Sequence, residues 1–280
     1  MQQVNQPELE KRILKVSFNV GDVKKIFQDV RIKAEGTKFA SSIKNECTVS
    51  VSNLTIGDRQ FLTSEFSPFN RVNKPKTITI EAGRASTGTA VIYKGQFNQI
   101  SLGQPPDVEC IFKTSTLSIS NLTLTNYSSP GTDNLSNLCD RVSQNLGLNL
   151  RFEADDKQIN NYKYLGGAVD ELSHIEQLAD INAYVDDDDL IVKNSSQPLK
   201  GVKRILSENS GIVGKISRTE RGISVRYLLD TSSKVGGELE IQSVFDNSLN
   251  GNYIIYQLGF ELANREMPFY WNAYCFPLKR

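Results

Sequence analysis

Polar and apolar residues alternate along most of the chain, and this pattern predicts β-strands. Within residues 47–51 every second residue is apolar, as expected for a strand with one buried face. Asn53 follows as a predicted turn residue. Short strands at this spacing indicate an all-β sandwich or barrel. The same alternation recurs in RILKVSFNV (12–20), KTITIEAG (76–83), AVIYKGQFNQISL (90–102, with Gly95 as a predicted bulge) and VECIFKTSTLSIS (108–120).

Between about residues 130 and 198 the apolar spacing changes to the helical period of 3.6 residues. A first helix is predicted after Thr132 or Asp133 and before Gly147. A short strand (149–154), a second helix in GAVDELSHIEQLADIN (167–182) and a hairpin in AYVDDDDLIVKN (183–194) complete a small α/β module. Its predicted core residues share helical faces: Val142, Leu146, Leu172, Ile175 and Leu178.

Strand-like alternation returns at about residue 201 and continues to the end of the sequence. It is clearest in residues 211–230, 236–244, 251–266 and 271–278. The predicted fold class is therefore mainly β with an α/β insertion. The predicted domains are a β block at 1–128, the α/β module at 129–199 and a second β block at 200–280.

Charge and composition exclude several classes of protein. Lys plus Arg and Asp plus Glu both number 32, so the basic excess typical of nucleic-acid binders is not found. No run of 18 apolar residues predicts a membrane span, and the start, MQQVNQPELEKR, is unlike a signal peptide. We therefore expect a protein made in a cytoplasm. Four cysteines without metal-ligand spacing are expected to be buried apolar residues: Cys47, Cys110, Cys139 and Cys275.

Few residues suggest a chemical site. The run at 186–189, DDDD, resembles a Ca²⁺ or Mg²⁺ ligand set, but it lacks the spacing of a calcium loop and is predicted to be a solvated hairpin tip. His174, the single histidine, is predicted to be a surface or half-buried helix residue. Nucleophile-elbow, zinc-protease and P-loop motifs are not found. The sequence therefore predicts no catalytic residue, no cofactor and no metal. Four arginines are candidates to line a channel or an interface: Arg218, Arg221, Arg226 and Arg265.

Read in order, the segments resemble the central baseplate hub proteins of contractile-tailed bacteriophages, which are related to type VI secretion spike bases. The first third contributes NECTVSVSNLT (45–55), KTITIEAG (76–83) and AVIYKGQFNQI (90–100). The middle contributes a helix that ends in NLGL, a Gly-Gly turn and a second helix. The last third contributes GIVGKISRTERGISVRYLLD (211–230), KVGGELEIQSV (234–244) and SLNGNYIIYQLGFELANREMPFYWNAYC (248–275). The resemblance spans about residues 12–278.

The resemblance implies a structural protein with two tail-tube-like β-barrel domains and a peripheral α/β module. Such proteins form a homotrimeric ring with pseudo-sixfold symmetry, which joins the sixfold tail tube to the threefold central spike. The implied partners are the tail tube or tube-initiator protein, the central spike protein, other baseplate proteins and the phage DNA that passes through the lumen. The implied location is the virion tail baseplate, after assembly in the host cytoplasm and without membrane insertion by the protein itself.

The strand at 251–266 carries apolar residues on both faces, so one face is expected to meet another domain, subunit or ring. Large aromatic residues follow it, and such residues often anchor interfaces. The predicted interface residues are Tyr253, Tyr256, Phe269, Tyr270 and Trp271.

Two alternatives belong to other functional classes. A carbohydrate-binding tail-fibre or lectin-like β-sandwich requires aromatic residues grouped on one face, for which Tyr270, Trp271 and Tyr274 are the candidates. A peptidoglycan hydrolase requires paired acidic residues in a cleft, but Asp170 and Glu171 are adjacent on a helix and are expected to point apart. A type VI spike base is disfavoured because the sequence has no spike-like extension.

Overall fold

The computed structural model describes residues 11–67, 76–104, 108–116 and 124–278. These residues form eighteen β-strands and three α-helices. The helices are α1 (Ile56–Glu65), α2 (Leu135–Leu146) and α3 (Ala168–Ala179). The strands are β1 (Arg12–Val20), β2 (Val23–Phe27), β3 (Arg31–Phe39), β4 (Glu46–Ser52), β5 (Lys76–Arg84), β6 (Gly88–Leu102), β7 (Glu109–Ser115), β8 (Leu124–Asn134), β9 (Asn149–Glu153), β10 (Gln158–Gly167), β11 (Ile181–Asp186), β12 (Asp189–Asn194), β13 (Lys203–Leu206), β14 (Ser217–Thr219), β15 (Gly222–Leu228), β16 (Glu238–Ile241), β17 (Gly251–Ala263) and β18 (Phe269–Pro277).

Thirteen strands form one large sheet that takes in both predicted β blocks. The hydrogen-bonded order is β14-β15-β18-β17-β3-β4-β7-β6-β5-β1-β2, with β16 also paired to β17 and β13 paired to β16. The antiparallel pairing of β3 with β17 joins the first and last thirds of the chain. The mainly β prediction is therefore confirmed. Within the described ranges the sheet does not close into a barrel, because β1 and β3 are not hydrogen-bonded neighbours.

Alternate residues of the strands build the core, as the period of two requires. Val49 and Val51 of β4 are fully buried, whereas Glu46 on the opposite side is exposed. Within this core, the ring of Phe18 packs against Phe112 and Phe66 with centroid distances of 4.7 and 5.7 Å. Such tilted and edge-to-face contacts add to the stabilisation from apolar burial.

The strand that contains Cys47 ends directly before Asn53, the predicted turn residue. Asn53 has a φ of 62°, a conformation that asparagine tolerates better than most residues. The side chain of Thr55 then caps α1 by accepting a hydrogen bond from the backbone N–H of Asp58. The sequence pattern does not predict α1, because Leu62 is the one buried residue in this helix.

The prediction of a bulge at Gly95 is wrong. Gly95 pairs in register with Ile78, and the register shifts of β6 lie at Ile92 and Asn98 instead. The glycine serves a packing role, since a Cβ atom there would lie 2.2 Å from the hydroxyl oxygen of Tyr93. Residues 117–120 of the strand predicted at 108–120 lie outside the described residues.

The α/β module forms a second core of its own. β8 and β10 make a two-stranded ribbon, and β11, β12 and β9 make a three-stranded sheet that the two helices cover. Gly147 ends α2 in the left-handed conformation, as predicted, with a φ of 67°. The helix begins after Asn134 rather than after Thr132 or Asp133, because β8 continues through those two residues.

Four of the five predicted core residues of the module are buried, and one is not. Leu178 is 52% exposed. The buried positions of α3 follow the spacing of Ala168, Leu172, Ile175 and Ala179, which places Leu178 on the outer side of the helix. The helices are therefore correct as predicted, and the assignment of Leu178 to the core is wrong.

The four cysteines are unpaired and buried, as predicted. Burial raises the pKa of the Cys139 thiol to about 12, so that thiol is protonated at neutral pH. None of the described helices has the length and apolar character that a membrane crossing requires.

Candidate functional surface

One face of the large sheet is polar and open to solvent across β15, β18, β17, β3, β4 and β7. On each of these strands, side chains that alternate with core residues point to this side. The cross-strand register places Thr37 opposite Gly259 and Thr48 opposite Lys113, so neighbouring strands present the same face. We call this surface the polar sheet face, and its main residues are Glu35, Thr37, Glu46, Thr48, Glu109, Lys113, Ser224, Arg226, Gln257, Glu261, Asn272 and Tyr274.

The polar sheet face is concave. A groove of about 730 Å³ crosses β15, β18, β17, β3 and β4. A second groove of about 420 Å³ continues along β3, β4 and β7 and reaches the turn at Met267 and Pro268. The concavity therefore runs across strands from both β blocks, and it ends at the turn between β17 and β18.

The polar sheet face carries charges of both signs. Its glutamates are Glu35, Glu46, Glu109 and Glu261, and its basic residues include Lys33, Lys113, Lys215 and Arg226. Glu35 lies directly opposite Glu261 in the β3–β17 ladder, an arrangement that costs stability when both are ionised. Arg226 offsets part of this cost, with its guanidinium nitrogen 3.2 Å from Glu261 Oε1. Asn272 accepts from Arg226 and donates to Glu261, so the three side chains form one network.

The five predicted interface residues are split between the core and the surface. Tyr253, Phe269 and Trp271 are buried within the chain. Tyr256 and Tyr270 are half-buried and reach the surface. The role of all five at an interface stays a prediction. Of the five, Tyr256 and Tyr270 are the two whose side chains are accessible to a partner.

The aromatic group invoked for carbohydrate binding is not formed. Trp271 is 2% exposed and its indole N–H donates to the backbone oxygen of Asp230, while Tyr274 lies on the opposite, polar side of β18. A different group gathers at the surface instead. The ring of Tyr256 stacks on Phe276 at 5.9 Å and lies 6.5 Å from Tyr274.

The prediction of a solvated tip at residues 186–189 is wrong for its first two residues. Asp186 Oδ1 lies 2.6 Å from Lys38 Nζ, and both side chains are 6% exposed. Asp187 lies 3.0 Å from the same ammonium and also accepts from the backbone N–H of Lys94. Asp188 is exposed and pairs with the side chain of Lys94. Residues 186–188 therefore dock the module onto β3 and β6.

The charges of this cluster depend on one another. Burial opposes the charge of Lys38, but the carboxylates of Asp186 and Asp187 outweigh it and raise the pKa of the ammonium. Burial raises the pKa of Asp187, and Lys38 limits that rise. In the described ranges no three His, Cys, Asp or Glu side chains are grouped to hold a metal ion.

The remaining candidate residues do not converge on one site. His174 is half-buried, as predicted, and its ring packs against Tyr162 and Tyr164. Among the four arginines, Arg226 lies on the polar sheet face, and Arg221 lies over the ring of Tyr256. Arg218 bonds to Ser248 and Arg265 to the backbone of Asp29, at separate places.

The baseplate hub gp41 family matches residues 13–275 of the chain. No curated protein sequence matches it. Among solved structures, the fold is similar to the 43 kDa tail protein of prophage MuSo2 from Shewanella oneidensis, with a TM-score of 0.64 and 9% identity over 94% of this chain and 98% of that chain. A tail protein from Neisseria meningitidis MC58 is similar at a TM-score of 0.65 and 8% identity, over 94% and 96% of the two chains.

A third similar structure is the E. coli c3393 protein, a component of the type VI secretion system that resembles the T4 bacteriophage tail proteins gp27 and gp5. The TM-score is 0.61 at 8% identity, over 93% of this chain and 76% of that chain. At these identities the structures show a shared fold alone. The family match extends over nearly the whole described chain, and its members are structural tail proteins. The chain therefore belongs to the baseplate hub gp41 family of bacteriophage tail proteins.

Proposed function

We propose that this chain is the subunit of a homotrimeric baseplate hub ring that joins the sixfold tail tube to the threefold central spike. The ring is assembled in the host cytoplasm and encloses a conduit for phage DNA. The family assignment supports a hub role, and the solved structures of similar fold include tail proteins and a type VI secretion component.

The strand order supports the proposal that each subunit supplies two tube-like units. One group of six neighbouring strands is β1-β5-β6-β7-β4-β3, and another is β14-β15-β18-β17-β16-β13. Each group contains one long strand with successive partners. β6 pairs with β5 and then with β7 inside the first group, and β17 pairs with β16 of the second group and then with β3 of the first. Three copies of two such units make a pseudo-sixfold ring. The proposed domains are 1–128, 129–199 and 200–280, with the middle one outside the ring.

The observation that carries the conduit proposal is the polar sheet face, which spans strands of both groups. Its charged side chains are of both signs, and DNA carries a phosphate charge on every nucleotide. A concave wall whose charges largely cancel gives the phosphates no strong attraction. DNA is then able to slide along the wall without being held.

We also propose that the β17–β18 pair lies at a boundary with a neighbouring subunit or ring. Tyr256 and Tyr270 make the contacts, and the buried Tyr253, Phe269 and Trp271 hold the pair rigid from beneath. The partners across these boundaries are a second copy of the chain, the tail tube or tube-initiator protein, the central spike protein and other baseplate proteins.

Site-directed labelling tests two points together: whether the subunits form a ring, and whether the polar sheet face points into its central hole. The four native cysteines are buried, so a maleimide-gold cluster reacts selectively with a cysteine introduced at Glu35 or, as a control, at the exposed Asp188 of the module. In negative-stain averages we expect threefold particles with gold inside the central hole for Glu35→Cys and outside it for Asp188→Cys. Gold from Glu35→Cys on the outer edge would refute the conduit assignment. A monomer both alone and with the spike protein would refute the ring.

A further inference from the structure

The loop between β16 and β17 presents two adjacent apolar side chains to solvent. Phe245 is 89% exposed and Val244 is 81% exposed, the highest values for large apolar side chains in the described ranges. Single exposed apolar residues are common on protein surfaces, but an adjacent pair that projects almost completely into solvent forms a compact apolar contact. We call residues 243–250 the apolar loop. Its two apolar side chains gain free energy when a partner removes them from water.

Hydrogen bonds hold the apolar loop in one conformation. Its two ends are joined, because Asn250 Oδ1 accepts from Ser243 N–H at 2.6 Å and the Asn250 amide donates to the Ser243 backbone oxygen at 3.0 Å. The carboxylate of Glu208 accepts from Val244 N–H at 3.2 Å. Phe245 is therefore carried on a fixed backbone, and its binding to a partner requires little further ordering of the loop.

An apolar groove of about 480 Å³ lies at the turn between β2 and β3. Its apolar lining residues are Ile26, Phe27 and Val30, and Ile26 is 55% exposed. Phe27 is anchored to the core, because its ring packs edge-on against Phe18 with a centroid distance of 5.7 Å. The other lining residues are polar: Lys15, Gln28, Asp29 and Glu81. A fixed apolar lining with polar neighbours is typical of an interface pocket.

The apolar loop and the apolar groove lie at opposite ends of β17. The loop ends where β17 begins, at Gly251. The groove is tied to the far end, because Asn264, directly after β17, donates to the backbone oxygen of Val30 at 2.6 Å. The thirteen residues of β17 extend over roughly 40 Å at about 3.3 Å per residue. The two surfaces are therefore separate, and one does not cover the other within a chain.

We propose that Phe245 of one subunit seats in the apolar groove of the next copy of the chain around the ring. This inference rests on the proposed ring function and names the two surfaces that meet at each subunit contact. A ring requires heterologous contacts, in which two different surfaces of each copy meet. An apolar projection and an apolar pocket elsewhere on the same molecule form such a pair. The occupant is a second copy because this chain carries both halves of the contact.

Cross-linking between copies tests the contact directly. The four native cysteines are buried, so a short bismaleimide reacts selectively with cysteines introduced at exposed positions. Chains with Phe245→Cys are co-expressed with chains with Ile26→Cys, and we expect a cross-linked pair. The control replaces Ile26→Cys with Leu165→Cys, at a leucine of the α/β module that is 78% exposed, and should give no pair.

A chain with both Phe245→Cys and Ile26→Cys separates the contact from the ring. We expect cross-linking to proceed to three chains and to stop there, since a closed ring has no free end. Products longer than three chains would confirm the contact and refute the ring. Trimers in light scattering without a link between residues 245 and 26 would overturn the contact and leave the ring standing. A chain that neither self-associates nor gives the linked pair would overturn both.

A substitution measures the strength of the contact. Phe245→Ser should weaken subunit association by about 30-fold or more, as truncation of an aromatic anchor at the centre of an interface does. Leu165→Ser, the matched control, should leave association unchanged, and urea unfolding should show that both variants stay folded. Unchanged association of Phe245→Ser would overturn the proposal. Protection of Phe245→Cys from maleimide by the spike protein alone, and not by self-association, would assign the apolar loop to the spike instead.

Discussion

Replacing Asp186 with asparagine removes one of the two carboxylates that neutralise the buried ammonium of Lys38. The two side chains are each 6% exposed and lie 2.6 Å apart. Removing one partner of a buried pair costs about 3–5 kcal/mol, because the other charge stays buried without compensation. Asp187 remains 3.0 Å from the ammonium, so we expect a loss at the low end of this range, about 3 kcal/mol.

Asp188→Asn is the matched control, since it removes the same charge from the same tip. Asp188 is 60% exposed and its partner Lys94 is 33% exposed, so this pair is screened by water. An exposed ion pair contributes 0 to about 1 kcal/mol. The structure therefore predicts a clear difference between neighbouring aspartates, whereas the sequence alone predicts a small effect at every position of the run.

Urea unfolding followed by the fluorescence of buried Trp271, the single tryptophan, measures both losses. A double-mutant cycle with Lys38→Met should return a coupling energy of about 0.5–3 kcal/mol between residues 38 and 186. Because the pKa of Lys38 is raised in the folded chain, its contribution is complete below pH 10.5 and is lost as the pH rises through the folded value. Equal small losses for Asp186→Asn and Asp188→Asn would refute the buried cluster.

Three further predictions concern other parts of the chain. Leu172→Ala should cost about 2–5 kcal/mol in urea unfolding, while Leu178→Ala on the exposed side of the same helix should cost less than about 0.5 kcal/mol; similar losses would contradict the helix register. Gly36→Ala places a Cβ 2.5 Å from the Phe260 ring and 2.6 Å from the backbone oxygen of Glu46, and should lower stability by about 1–3 kcal/mol; an unchanged melting temperature would contradict this close packing. The hydroxyl of Ser243 and the following backbone N–H groups lower the pKa of Glu208, so this carboxylate holds the loop after β16 above pH 4.5 and releases it as the pH falls through the lowered folded value. The protection factors of that loop in hydrogen exchange, which correct for the intrinsic pH dependence of exchange, should fall with acid in wild type and be low at all pH in Glu208→Gln.

Most strands and two of the helices are predictable from the sequence, because their buried residues repeat with a simple period. Residues 12–20 alternate without interruption and form β1, and the spacing of apolar residues places α2 and α3. α1 is not predictable in this way, because most of its residues face solvent. β13 is missed for a different reason, since four residues are too few to show a period.

The surfaces depend on contacts between distant parts of the chain, and a local pattern does not show them. The burial of Asp186 follows from Lys38, 148 residues earlier, and the sequence around the aspartates has no sign of that partner. The polar sheet face likewise forms only when β3 pairs with β17 in the observed register. In β3 every second residue from Arg31 to Glu35 is charged: Arg31, Lys33 and Glu35. This alternation is the one local sign of that face.

β3 acquires its second neighbour late in protein synthesis. Ile32 of β3 bonds to Asn264, which lies 232 residues downstream. At translation rates of about 5–20 residues per second, the edge of β3 stays unpaired for about 10–50 s. Charged side chains on this strand, such as Lys33 and Glu35, hinder pairing with another nascent chain during that interval. A chain truncated before β17 keeps the edge open permanently, so we expect such a fragment to aggregate rather than to fold as half of the protein.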